Sequence, residues 1–195
     1  MIEVIDYGGG NLGSITRCLE RLEVPFRMTT ETNPPSGEYP VLFPGVGAFG
    51  SAMAHLTRNG LASRLQQIVR DGTPYLGICI GLQVLFEGSE EAPGIAGLGL
   101  LPGQVVKFRR GKIPQIGWNW VQSVHPNWES GYVYFVNSYY PQVASPKDAL
   151  YTADYGGPFT AAVQKDNITA FQFHPEKSGV FGQVLIRQWI VQATK

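Results

Sequence analysis

The chain has 195 residues, of which 44% are hydrophobic and 15% charged. It can bury about two-thirds of the surface its unfolded form exposes, which excludes intrinsic disorder and any need for a metal or disulfide staple. Fifteen Lys and Arg balance fifteen Asp and Glu, so the field that draws proteins to nucleic acid or an anionic membrane is missing. The opening Met1-Ile2-Glu3-Val4-Ile5-Asp6 lacks the basic and long apolar segments of a secretory signal. The most apolar run, residues 74–86, is broken by Gly77, Gly81 and Gln83 and falls short of the roughly 20 residues a spanning helix needs. A cytoplasmic protein without a membrane segment is expected.

The first half alternates short β-branched runs with segments of helical period, the pattern of a parallel sheet covered by helices. Residues 2–6 read as a strand. After the turn Gly8-Gly9-Gly10, Leu12, Ile15, Leu19 and Leu22 recur at helical spacing, with Cys18 as a small packed residue. Strands follow at 26–29, 41–43 and 75–79, and helices at 50–56 and 61–69. Beyond residue 98 the character changes: 105–108, 113–121, 133–139, 150–154, 160–163 and 168–173 read as strands. Turn signals such as Pro102-Gly103, Arg110-Gly111, Gly156-Gly157 and Asp166-Asn167 separate them. A last helix over 180–193, with Val184, Leu185, Trp189 and Ile190 as its apolar stripe, is expected to return to the main sheet. The fold class is α/β: an open, mainly parallel sheet flanked by helices, with an additional antiparallel section. No repeat or linker divides it, so residues 1–195 read as one domain.

Two patterns are decoys. Gly8, Gly10 and Gly13 satisfy G-x-G-x-x-G after a strand, with Glu31 about 18 residues further on, as a dinucleotide site requires. A tight strand-to-helix turn favours glycine with or without a pyrophosphate, so the pattern alone is weak. Cys18 and Cys79 read as free thiols. With His55, His125 and His174 they show no metal-ligand spacing, so no metal is expected.

The informative segment is Pro74-Tyr75-Leu76-Gly77-Ile78-Cys79-Ile80-Gly81-Leu82-Gln83, an apolar strand running through G-x-C-x-G into a helical pattern. Glycine two residues before and after a nucleophile avoids clashes on a sharp strand-to-helix turn, and the new helix favours thiolate over thiol. Spacing alone does not separate this elbow from a buried cysteine ending a core strand. A cysteine nucleophile needs a base, and the base needs an orienting group. Phe171-Gln172-Phe173-His174-Pro175-Glu176 supplies both, since residues two apart on extended chain face the same way. The corner Phe43-Pro44-Gly45-Val46-Gly47 follows a strand of the same sheet. Its amides, with that of Ile80, suit an oxyanion hole, although the corner alone is also consistent with a mere turn.

Together these motifs resemble the class I, triad-type glutamine amidotransferases, and more closely the glutaminase subunits of imidazole glycerol phosphate synthase. The likeness covers nearly the whole chain: Ile5-Asp6-Tyr7-Gly8-Gly9-Gly10-Asn11-Leu12, Pro44-Gly45-Val46-Gly47-Ala48-Phe49, the cysteine elbow, Glu90-Glu91-Ala92-Pro93-Gly94, Gly117-Trp118-Asn119, Tyr134-Phe135-Val136 and the His-Pro-Glu segment. It implies a flavodoxin-like fold and a Cys79, His174, Glu176 triad that hydrolyses L-glutamine. It also implies oxyanion donors at Val46 and Ile80, and substrate-pocket positions at Gly47, Gln83, Ser138 and Tyr139. No cofactor is implied. The resemblance further implies a heterodimer with a (βα)8-barrel cyclase that receives the ammonia, met by Asn11, Trp118 and Lys177, with Tyr134 along the ammonia route.

Period-2 alternation places Ile116, Trp118 and Trp120 on one strand face, an apolar strip suited to a partner; a buried sheet face is the alternative. Gln115 and Asn137 stand where many relatives carry histidine, which bears on hydrogen bonding at the interface. The basic run 107–112 reads as a solvated hairpin. A stand-alone hydrolase of γ-glutamyl amides is the second reading, against which the Gly-rich opening and Gly-Trp-Asn speak.

Overall fold

The computed structural model describes residues 1–8, 12–58 and 60–194. In chain order it contains β1 (Ile2–Ile5), α1 (Gly13–Arg21), β2 (Phe26–Thr29), β3 (Val41–Phe43), α2 (Phe49–Arg58), α3 (Leu61–Arg70), β4 (Tyr75–Ile78), α4 (Ile80–Gln83), β5 (Gly88–Ser89) and β6 (Gly103–Lys107). Then come β7 (Gln115–Ser123), β8 (Gly131–Asn137), β9 (Tyr139–Val143), β10 (Ala149–Asp154), β11 (Pro158–Lys165), β12 (Ile168–Phe171) and α5 (Gly179–Ala193). Short 3₁₀ turns lie at Pro146–Asp148 and Pro175–Lys177.

Among the described residues one sheet runs in the order β2-β1-β3-β4-β12-β11-β10-β7-β8, and a smaller one in the order β5-β6-β9. From β2 to β12 the neighbours are parallel; from β12 to β8 they are antiparallel. The central parallel strands β3 and β4 are buried along their whole length because helices cover both faces, while the buried Glu3 of β1 is answered by Arg27 of β2. On one face α1 and α5 pack Ile15, Cys18, Leu19, Leu185, Ile186 and Trp189 against Ile2, Val4, Leu76 and Ile78. On the other, α2 and α3 pack Phe49, Met53, Leu56, Leu65 and Ile68 against Ile5, Val41, Phe43 and Tyr75. No helix among the described residues is long and apolar enough to cross a membrane.

The register positions the chemistry. Phe43 pairs with Gly77, and Ile78 with Phe171, so β3, β4 and β12 end side by side. The segments that follow, 44–47, 79–83 and 172–177, therefore emerge at one sheet edge, where open α/β folds place their sites.

Four expectations need correction. Residues 133–139 are not one strand: β8 ends at Asn137 and Tyr139 opens β9 in the smaller sheet. The strand expected over 168–173 ends at Phe171. The buried stripe of α5 is Gly182, Leu185, Ile186 and Trp189, an i, i+3, i+4, i+7 face, so Val184 is exposed and Ile186 takes its place. The run 107–112 is not a hairpin, because β6 and β7 lie in different sheets. It bridges them, with Arg109 paired to Glu90.

Candidate active site

Cys79 sits between β4 and α4 with φ 53° and ψ −103°, a left-handed conformation that costs a non-glycine residue about 1–3 kcal/mol. Its surroundings enforce the turn. A Cβ on Gly77 would lie 2.4 Å from the Gly81 carbonyl oxygen, and one on Gly81 would lie 2.0 Å from that of Phe43. Both glycines of the G-x-C-x-G pattern are thus required by backbone contact. The Cys79 N–H donates to the Phe171 carbonyl at 2.8 Å, tying the turn to β12. The helix that follows is a single turn, shorter than the sequence pattern suggests. What it offers the sulfur is free N–H groups at its start, beginning with that of Ile80, rather than a sizeable dipole.

His174 arrives on the chain leaving β12. Phe171 and Phe173 stack at 4.9 Å and join the core beneath α5, so the alternate residues Gln172 and His174 face the other way, toward Cys79. The His174 N–H donates to the Tyr134 carbonyl at 2.9 Å, and Nδ1 pairs with Glu176 Oε1 at 2.8 Å. Nε2 is buried and makes no formed hydrogen bond in this resting arrangement, as is common before substrate binds. Burial opposes charge on the ring, but the Cys79 sulfur and the Glu176 carboxylate outweigh it and raise the His174 pKa to about 10. The arrangement favours a protonated ring held between the Cys79 sulfur and the Glu176 carboxylate.

The corner after β3 closes the other side. A Cβ on Gly45 would lie 2.4 Å from the Ile80 side chain and 3.0 Å from Tyr7 Oη, so 45–47 lies directly against the nucleophile turn. Tyr7 donates to the Val46 carbonyl at 3.0 Å. Burial, with the nearby charges of Cys79 and Asp6, pushes its phenol to about 12, so it remains a donor at neutral pH and fixes the 46–47 peptide plane.

A cavity of about 270 Å³ opens over the sulfur, lined by Val46, Gly47, Cys79, Gln83, Glu91 and Tyr139 along with Pro114 and residues 136–138. That volume suits a small ligand. All four expected pocket residues, Gly47, Gln83, Ser138 and Tyr139, line it. Sequence reasoning alone assigns no role to Glu91, Gln172 or Tyr7. The acidic pair Glu90-Glu91 before a turn is the available signal for Glu91, whose Oε2 accepts the Phe49 N–H at 2.7 Å. A larger hollow, about 730 Å³ around residues 87–90, 92–96 and Arg109, shares Tyr139 with this cavity but does not reach Cys79 or His174.

Ile116, Trp118, Trp120 and Tyr132 are 63%, 55%, 44% and 60% exposed, which settles the strip as an open face rather than a buried one. Trp118 and Tyr134 meet edge-on at 6.1 Å, and Lys177, next in the chain to Glu176, is exposed. Asn11 lies outside the described residues. Gln115 and Asn137 are register partners on the opposite, inner face and are buried, so they do not belong to the exposed strip. In the decoy region Gly10 also lies outside the described residues, and Glu31 is exposed. His125 is exposed, His55 packs edge-on to Tyr7, and no metal-binding cluster occurs among the described residues.

A family model described as glutamine amidotransferase class-I matches residues 3–193. The chain is 44% identical to imidazole glycerol phosphate synthase subunit HisH of Methanothermobacter thermautotrophicus, covering 97% of this chain and 98% of that protein. It is 43% identical to a HisH subunit of Thermus thermophilus, over 92% and 91%. Among solved structures, a glutamine amidotransferase superposes with TM-score 0.81 at 18% identity, covering 100% of this chain and 99% of that one. PurLQS from Thermotoga maritima gives 0.80 at 17%, over 100% and 98%. These two likenesses concern the fold.

Gly81→Ala is expected to destabilise the protein by about 3 kcal/mol, because its Cβ meets backbone rather than a movable side chain; urea denaturation with an unchanged midpoint would refute the contact. In NMR titration the His174 ring is expected to stay protonated well above pH 8, and Glu176→Gln to lower its midpoint. A midpoint below 6.5 in the intact protein would contradict the arrangement.

Proposed function

The chain belongs to the class-I glutamine amidotransferase family, and from that premise we propose how its residues divide the work of a glutaminase subunit of imidazole glycerol phosphate synthase. The enzyme hydrolyses L-glutamine to glutamate and ammonia and serves histidine biosynthesis. The observation that carries the assignment of residues is the convergence of Cys79, His174 and Glu176 at one sheet edge, under a cavity that holds a carboxylate, Glu91, at its wall.

Glutamine enters with its carboxamide over the sulfur and its α-ammonium near Glu91. The Cys79 sulfur bonds to the amide carbon while its proton resides on His174, and Glu176 holds the ring through Nδ1. The resulting oxyanion is met by the Ile80 N–H and an amide of the 45–47 corner, with Val46 the expected donor there. Loss of one such donor typically costs two to three orders of magnitude in rate. His174 then protonates the amide nitrogen, the C–N bond breaks and ammonia leaves. Water attacks the thioester, His174 takes its proton, and the C–S bond breaks to give glutamate and thiolate. Gly47, Gln83, Ser138 and Tyr139 shape the pocket.

The ammonia is consumed by a cyclase subunit, for which we assign a (βα)8 barrel in a heterodimer with this chain. Ammonium in water is a poor nucleophile, so direct transfer has a chemical purpose. The exposed Ile116, Trp118, Trp120 and Tyr132 face supports the docking site: contiguous aromatic surface is costly to leave in water, and tryptophan and tyrosine dominate binding energy at interfaces. Lys177 belongs to its rim, and Tyr134, half-buried beneath Trp118, lies between that face and His174.

Cys79→Ala is expected to abolish glutamine hydrolysis while cyclisation with the partner and added ammonium salts persists. Ammonia release from glutamine at the normal rate by this variant would overturn the mechanism. Trp118→Ala is expected to weaken association with the cyclase at least tenfold by calorimetry; unchanged affinity would move the docking face elsewhere.

A further inference from the structure

The alternation that turns His174 toward the nucleophile turns a second side chain there too. Gln172 is fully buried, and its Nε2 lies 3.7 Å from the Cys79 sulfur, within reach of a hydrogen bond to so large an acceptor. Its backbone is pinned, the N–H donating to the Ala161 carbonyl at 2.9 Å. Which end of the Gln172 amide meets the sulfur is settled by a chain of partners. The Tyr139 carbonyl can only accept, so the end of Gln83 that approaches it at 3.4 Å is the NH₂ group. That same Nε2 lies 3.1 Å from the Gln172 amide, which must present its oxygen there. The other end of Gln172, the NH₂, therefore faces sulfur.

We propose that Gln172 is a catalytic residue that donates a hydrogen bond to the Cys79 thiolate, with Gln83 and the Tyr139 carbonyl fixing its orientation. The sulfur then has a donor in Gln172 and the imidazole of His174, two residues on, facing it from the same segment. His174 holds the proton, and Gln172 offers a neutral dipole that cannot take the charge away. Such a donor stabilises the thiolate twice: before attack on the carboxamide, and again when sulfur leaves the tetrahedral intermediate of thioester hydrolysis. Because Gln83 and Tyr139 also line the substrate cavity, the donor is oriented from the pocket wall itself. The inference deepens the glutaminase reading, but the sulfur–amide contact is testable without it.

The test is alkylation of Cys79 by iodoacetamide at neutral pH, together with steady-state glutaminase kinetics, in Gln172→Met, which keeps length and bulk but removes the donor. Alkylation is expected to slow about tenfold and kcat to fall by a similar factor with KM little changed, the scale of one hydrogen bond to a charged group. Phe135→Leu, an equally buried packing change on β8, serves as the comparison and is expected to lower thermal stability while alkylation stays within about twofold. Alkylation of Gln172→Met at the rate of the unmodified sequence, or equal slowing by Phe135→Leu, would overturn the donor role. Failure of the glutaminase reading would show instead as ammonia release by Cys79→Ala, with the alkylation result unaffected.

Discussion

The structure turns on one backbone conformation, the positive φ of Cys79. A side chain carried on such a turn sits at the border of one core, at the sheet edge, and that is what brings the buried sulfur to the wall of a cavity. The conformation is sterically costly and persists only because its neighbours leave no alternative. Gly77 and Gly81 let three stretches of backbone come within contact: the end of β4, the turn of α4 and the Phe43 carbonyl at the end of β3. The same approach seats Gly45 on Ile80. The elbow and the corner of potential oxyanion donors are thus one packed unit, and neither can shift without the other.

A second unit is the segment leaving β12. The His174 carbonyl accepts from Ser178 Oγ at 2.7 Å, and that hydroxyl oxygen accepts the Tyr134 N–H at 2.9 Å, while the Tyr134 carbonyl takes the His174 N–H. The strand that bears Tyr132 of the exposed aromatic face is therefore hydrogen-bonded to the backbone of the triad histidine. On α5, a Cβ at Gly182 would lie 1.9 Å from the Pro175 carbonyl, so the helix presses the turn from below. The imidazole is held by close packing on one side and by β8 on the other.

How far the sequence reveals this depends on whether the determining force is local. The elbow is legible because a steric demand on two backbone positions leaves glycine at both. His174 and Glu176 are legible because a strand with phenylalanine at alternate positions declares which way the residues between them face. Three outcomes rest on tertiary context. Val184 and Ile186 are equally apolar, and only the position of the sheet decides that Ile186 is buried. Asn137-Ser138-Tyr139 lacks glycine or proline, so nothing local announces that the chain leaves one sheet for another. Gln172 and Tyr7 read as an ordinary polar residue in a core strand and an ordinary aromatic beside a turn. Their meaning comes from the Cys79 sulfur and the Val46 carbonyl, which are distant in sequence.

The electrostatics of the site follow from what it lacks. With Cys79 as thiolate, His174 protonated and Glu176 ionised, the buried triad carries a net negative charge, yet the groups placed to answer it are neutral donors: the Gln172 amide, the Ile80 N–H and the tyrosine-braced corner. The His174 imidazolium is a cation at the sulfur, but it loses its charge when it protonates the leaving nitrogen; a permanent charge there would stabilise the thiolate further at the expense of nucleophilicity, which falls as thiol acidity rises. Neutral dipoles lower the cost of burying the charge while leaving it reactive. The same logic suits the leaving group: the Tyr7 phenol, pushed up to about 12 and donating to the Val46 carbonyl, keeps its proton, so the one that departs with ammonia comes from the ring that received it. A chain with balanced charge overall therefore derives its reactivity from local placement of dipoles.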